Sequence, residues 1–248
     1  MGPALAAPFG LMIGSFLNVV AYRLPLRKSI VFPGSHCTAC DAPVKPYDNV
    51  PVLSWLVLRG RCRSCGVGIS PRYPAVELLT ALAFIAIVLV NGVNARLALE
   101  LPFAAMLIAV SDIDIEHRII PNKILLPAAV WGLAGGALIR THDVAELAIS
   151  GAGAFTFLLV AALIHPKGMG MGDVKLAGVM GLFLGASIIP AMVIGFLTGS
   201  VVGIGMLARY GPAARKMGVP FGPFLALGGF VALLVGPQLI HLYTHHLL

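Results

Sequence analysis

Two kinds of residue in this chain have the type and spacing to do chemistry: cysteines in pairs, and aspartates at the ends of apolar runs. All 4 cysteines form two short motifs, Cys37-x-x-Cys40 and Cys62-x-x-Cys65, with 21 residues between the pairs. Two such knuckles can deliver four thiolates tetrahedrally to Zn2+, as in a zinc ribbon. Four protein thiolates leave no position for water, so this metal is expected to be structural. Lys45, Arg61 and Arg63 stand close in sequence and favour the thiolate forms. A redox pair or four unmetallated thiols are the alternatives, and a cytoplasmic placement, where thiols stay reduced, favours metal.

Acidic residues number only 10. Asp112 and Asp114 lie in SDIDIEHRIIPN (111–122), where one apolar run ends; Asp173 lies in GMGMGDVK (168–175), where another begins. Two carboxylates brought within hydrogen-bonding reach share a proton, one serving as general base on water and the other as acid toward the departing group. That pair suffices for peptide hydrolysis when no nucleophile or catalytic metal is at hand. Gly168, Gly170 and Gly172 would let an extended substrate backbone come close. Asp173 is equally suited to capping a helix N-terminus, and Asp114 and Glu116 to a solvated loop beside Arg118. Glu77, a few residues into a further apolar run, is costly there. It should pair with Arg72, Lys175 or a backbone donor, or else contact substrate or cofactor. Asn18 should hydrogen-bond another helix.

The elements that must position these groups follow from composition. Of 248 residues 58% are hydrophobic and 11% charged, and the mean hydropathy is +0.95. Soluble domains carry about 25% charged residues, so soluble, disordered, coiled-coil and disulfide-scaffold classes are excluded. Apolar runs at 4–22, 74–92, 97–111, 123–139, 146–164, 174–187, 189–208 and 221–241 predict eight membrane-spanning helices. Two of these come from the single apolar stretch 173–208, which is too long for one span and breaks between Gly185 and Pro190. With segment 23–73 in the cytoplasm, every one of the 17 Lys and Arg except Arg96 and Arg140 falls on that side. Three regions result: a first transmembrane helix (1–22), a cytoplasmic metal-binding domain (23–73) and a membrane-embedded catalytic domain (74–248). The fold class is an all-α polytopic membrane protein with a small zinc-ribbon-like domain between its first two spans. Nothing points to nucleic acid; the basic face is read as meeting membrane lipid.

The ordered motifs resemble type IV prepilin peptidases, membrane aspartic proteases of the GxGD kind. GSFLNVVAYRLP (14–25) is similar to the opening of that family. FPGSHCTAC, NVPVLSWLVLRGRCRSCG and ISPRYPAVELLTA (within 32–81) resemble its cytoplasmic zinc-bearing domain, and the two aspartate motifs follow in order. Carried over by position, the resemblance puts the catalytic pair on Asp112 and Asp173, with Asp114 as the fallback. It implies a bacterial plasma (inner) membrane enzyme whose active site faces the cytoplasm. Such an enzyme removes a short basic leader from prepilin or pseudopilin precursors and methylates the new N-terminal amine from S-adenosylmethionine. No nucleotide-binding fingerprint in 23–73 locates that cofactor. A peptidase that does not methylate, an ion-coupled transporter and a zinc-bearing scaffold are the rival readings.

Overall fold

The computed structural model describes residues 2–139, 143–165, 168–211 and 218–247. Four basic residues of the charge pattern, Arg140, Lys167, Arg215 and Lys216, lie outside them. Among the described residues no strand forms. The helices are α1 (Pro3–Arg23), α2 (Leu53–Val57), α3 (Arg72–Asn91), α4 (Leu97–His117), α5 (Asn122–Ile139), α6 (Val144–Ile164), α7 (Met171–Leu184), α8 (Ile188–Tyr210) and α9 (Gly222–Leu247). Apart from the short α2, each coincides with one of the eight apolar runs.

Six stretches are long and apolar enough to cross a membrane: Pro3–Arg23, Arg72–Asn91, Asn122–Ile139, Val144–Ile164, Met171–Tyr210 and Gly222–Leu242. The chain is thus a multi-pass membrane protein. The 40-residue stretch Met171–Tyr210 is divided by a 3-10 turn at Gly185–Ser187, where Gly185 takes φ 58°. An L side chain is strained at that angle, and glycine is not. The Glu146 carboxylate of α6 accepts the Ala186 N–H of this turn at 2.8 Å. Helix α4 falls outside the six because it carries Glu100, Asp112, Asp114 and Glu116.

The chain divides into two compact units, Met1–Val93 and Asn94–Leu248. In the first, α1 packs on α3 through small residues: a Cβ at Gly10 would lie 2.6 Å from the Ala81 Cα, and one at Gly14 would lie 2.6 Å from the Glu77 Cα. Close backbone approach of this kind is how helices associate in lipid, where burial of apolar surface adds little. Asn18 donates to the Tyr73 carbonyl at 3.0 Å, the interhelical bond expected of it.

The second unit is built around α7, whose Val174, Leu176, Ala177, Gly178, Val179, Met180 and Gly181 are all buried. A helix apolar on all sides belongs at the centre of a bundle. Phe103 of α4 stacks on Phe183 of α7 with ring centroids 4.8 Å apart. On another side, a Cβ at Gly181 would sit 2.6 Å from the Gly151 Cα of α6. Leu225 and Ala226 of α9 complete the same core.

Candidate functional site

In the first unit the cysteine motifs fold as two matching knuckles. The Cys37 N–H donates to Ala42 O at 2.9 Å and the Asp41 N–H to Cys37 O at 3.0 Å; the Cys62 N–H donates to Val67 O at 2.8 Å and the Gly66 N–H to Cys62 O at 2.9 Å. Asp41 and Gly66, each four residues past a first cysteine, share a left-handed backbone at φ 53° and 73°. The four Sγ atoms lie within 4.8 Å of one another, with Cys37 and Cys65 3.8 Å apart. A tetrahedron with ~2.3 Å metal–sulfur bonds has edges of about 3.8 Å, so these four thiols can hold a metal ion. Without the ion their acidities diverge. The backbone N–H groups of Cys65 and Ser64 lower the Cys62 thiol to about 6. At Cys40 the Ala42 N–H also favours the thiolate, but the thiols of Cys65, Cys37 and Cys62, together with burial, outweigh it and push Cys40 up to about 12. Arg63 forks onto Asp48, Nε to Oδ2 at 2.8 Å and Nη2 to Oδ1 at 2.6 Å, and holds that carboxyl below its usual range. This pair braces the second knuckle against the loop between the two.

In the second unit the acidic motifs meet at one end of the bundle. Asp114, 5% exposed, lies in the last turn of α4, and its Oδ2 accepts the Gly222 N–H of α9 at 3.0 Å. Helix α4 then stops at Arg118, which takes the left-handed conformation, φ 55° and ψ 40°, and returns its N–H to Asp114 O. Asp173 stands in the first turn of α7, with Oδ2 accepting the Gly170 N–H at 3.3 Å. Asp114 is close enough for its charge to act on Asp173. Ile120 lies between their supports: a Cβ at Gly172 would meet Ile120 Cβ at 2.9 Å, and one at Gly222 would meet Ile120 Cδ1 at 3.3 Å. Lys175 donates to Asn122 Oδ1 at 3.1 Å, which ties the start of α5 to the start of α7. His117 lies 3.7 Å from Glu116, on the surface beyond the buried acid.

Asp112 is partly buried on the same helix. Two residues along an α-helix turn a side chain by about 200°, so Asp112 and Asp114 point to different sides. Sequence reasoning did not single out Gly222 or Ile120. The only sequence signal for Gly222 is its place between Pro220 and Pro223 at the head of the last apolar run.

One unit that carries four clustered thiols and another that gathers acids at one end of a bundle of membrane helices define the class as a polytopic membrane protein with a metal-binding motif and a candidate acid–base site. Residues 9–91 match the family described as "Bacterial Peptidase A24 N-terminal domain", and residues 101–207 match "Type IV leader peptidase family". The chain belongs to the type IV leader peptidase family. A prepilin leader peptidase/N-methyltransferase of Aeromonas salmonicida is 36% identical, with 97% of this chain and 93% of the relative covered. The one of Bacillus subtilis is 38% identical, with 95% of each covered, and that of Pseudomonas aeruginosa 33%, with 94% and 90% covered. No solved structure matches the chain.

Proposed function

We propose that this protein cleaves the leader from type IV prepilin-like precursors at the cytoplasmic face of the bacterial inner membrane, through an Asp114–Asp173 pair, and methylates the amine so exposed. The observation that carries the assignment is the buried Asp114 carboxylate beside Asp173, each fixed by a backbone N–H. The sequence pattern assigns Asp112 to this role. The geometry favours Asp114, because Asp114 is the more buried of the two and bonds to Gly222, whose surroundings include Ile120 and through it Gly172.

One carboxylate of the pair takes a proton from water as the water oxygen bonds to the scissile carbonyl carbon. The other, protonated, gives its proton to the carbonyl oxygen; as the C–N bond breaks, the first passes the proton it took from water to the departing amide nitrogen, and the second regains its own as the carbonyl re-forms. The separation of backbone donors is what keeps the two acids distinct: Gly222 serves one and Gly170 the other. Transport would call for acids deep within the spans, whereas both aspartates stand at helix ends. The cytoplasmic orientation is supported by the basic residues, which gather on the side of segment 23–73.

Zn2+ is the metal that fits four thiolates at tetrahedral spacing in a reduced compartment. It would hold the two knuckles together in a segment too small to bury much of a core. For the second activity, S-adenosylmethionine supplies the methyl group: the amine lone pair forms the N–CH3 bond, the S–CH3 bonding pair returns to sulfur, and the nitrogen releases a proton.

The test is cleavage of a pilin-like precursor by the purified protein alongside Asp112→Asn, Asp114→Asn and Asp173→Asn, with the product mass read at its N-terminus. Loss of about 1,000-fold or more is expected for Asp114→Asn and Asp173→Asn, and a change within about tenfold for Asp112→Asn. An inactive Asp112→Asn beside an active Asp114→Asn would return the role to Asp112. Activity in all three would remove the aspartic mechanism.

A further inference from the structure

The polar segment of the first unit, the last turns of α1 and the first turns of α3 line a cavity of about 460 Å³, within the range of small-molecule sites. At its wall stands Glu77, 7% exposed. A carboxylate at that depth is costly unless a cation answers it. The donors it receives among the described residues are both neutral, the Val52 N–H at 2.7 Å and the Ser15 hydroxyl. Val52 delivers its N–H from φ 61° and ψ −51°, a region that β-branched residues avoid, so the backbone is strained where it meets this carboxylate.

A flat, fixed aromatic wall belongs to the same cavity. Trp55 donates Nε1–H to the Ile69 carbonyl at 3.0 Å, and a Cβ at Gly60 would lie 2.8 Å from the indole Cζ2. The ring is therefore held in place before any ligand arrives. Asn18, itself buried, also lines the space.

We propose that this cavity is the methyl-donor site, with Glu77 holding the positively charged part of S-adenosylmethionine and Trp55 bordering its adenosyl part. The proposal rests on the methyl-transfer reading above. A sulfonium carries its charge at every pH, so it can answer a buried carboxylate without a proton having to move. The space is also much larger than an amine alone would need. Polar groups that converge on an otherwise apolar cleft are the usual makings of such a site.

Binding of S-adenosylmethionine and of its neutral-sulfur product S-adenosylhomocysteine should be measured by calorimetry on the full-length, metal-loaded protein in detergent. Glu77→Gln is compared with wild type; it keeps an acceptor for the Val52 N–H and preserves the turn. Val44→Trp places bulk in the same cavity, which Val44 also lines, and metal content reports folding in both. Glu77→Gln should weaken S-adenosylmethionine by ~10-fold or more and S-adenosylhomocysteine less, while Val44→Trp should weaken both. If the wild type methylates its product and both metal-bearing variants bind the donor as wild type does, the cavity assignment alone is overturned. If Glu77→Gln does not retain metal, Val44→Trp decides the matter in the same way. If the wild type binds no donor and its product gains no methyl, the methyl-transfer reading falls and the cavity assignment with it.

Discussion

A single backbone N–H, that of Gly222, restrains the Asp114 carboxylate across 108 residues of chain. A Cβ at position 222 would stand 2.8 Å from Asp114 Oδ2. The atom it meets is the free end of a side chain, so the carboxylate can swing away while the backbone stays put. Gly222→Ala is therefore expected to lower kcat by about 10- to 100-fold with a melting temperature within a few degrees of wild type; full activity would show that the contact does not position Asp114. Chemistry of the same fineness separates the thiols. In metal-stripped protein at about pH 7, Cys62 is mostly thiolate because its acidity is shifted to about 6, while Cys40, at about 12, is not. Below the Cys62 value its thiol re-protonates. Pulse alkylation read by mass spectrometry should label Cys62 first, lose that preference as the pH falls below about 6, and leave all four cysteines unlabelled once metal is restored. The four ligands are legible from spacing alone, because a knuckle is a local structure. The choice between Asp112 and Asp114 is not legible: α4 is apolar on nearly every side, so no polar face in the sequence tells which of two neighbouring acids turns inward.

Among the elements, α7 carries Asp173 and is placed by its contact with α6. At Gly181 the opposing atom is the Gly151 Cα, 2.6 Å from where a Cβ would be. Backbone cannot yield as a side-chain tip can, so a larger residue must part the helices. Gly181→Val should destabilise the protein by about 1–3 kcal/mol and reduce cleavage by moving Asp173. Gly153→Val, on α6 two residues beyond Gly151 but with nothing within 4 Å of its added Cβ, should do neither. Equal melting temperatures for the two variants would count against this packing. The helices themselves are legible, since a bilayer fixes their length and an apolar stretch of 40 residues has to break. Their partners are not. Many glycines in the chain have open space around them, and nothing local distinguishes Gly181 from Gly153.

For the molecule as a whole, the division between Val93 and Asn94 falls in the gap between the two family matches, 9–91 and 101–207. Sequence polarity marks boundaries near 22 and 73, where the chain leaves and re-enters apolar runs. Packing instead groups α1 and α3 with the polar segment that joins them, through the small-residue contacts at Gly10 and Gly14. A hydropathy profile shows where helices are but not which ones touch. Orientation, by contrast, is a property of the summed charge, and it can be tested. In intact cells an impermeant maleimide should label Asn94→Cys and spare Gly168→Cys, which becomes reactive only when the membrane is opened. The reverse pattern would invert the topology and move the aspartates to the outer face.

The catch between Glu146 and the turn at Ala186 has a consequence for how the protein is made. Its two halves lie 40 residues apart, and the acid is synthesised first. The acceptor on α6 therefore exists in the growing chain before the turn that brings its donor. The glycine-kinked tip of the next hairpin must be carried across the membrane to reach it. The pin therefore needs both parts: the turn that closes the fourth long helix of the second unit is held only where the third offers its carboxylate, and the third keeps that acceptor unfilled until the turn arrives.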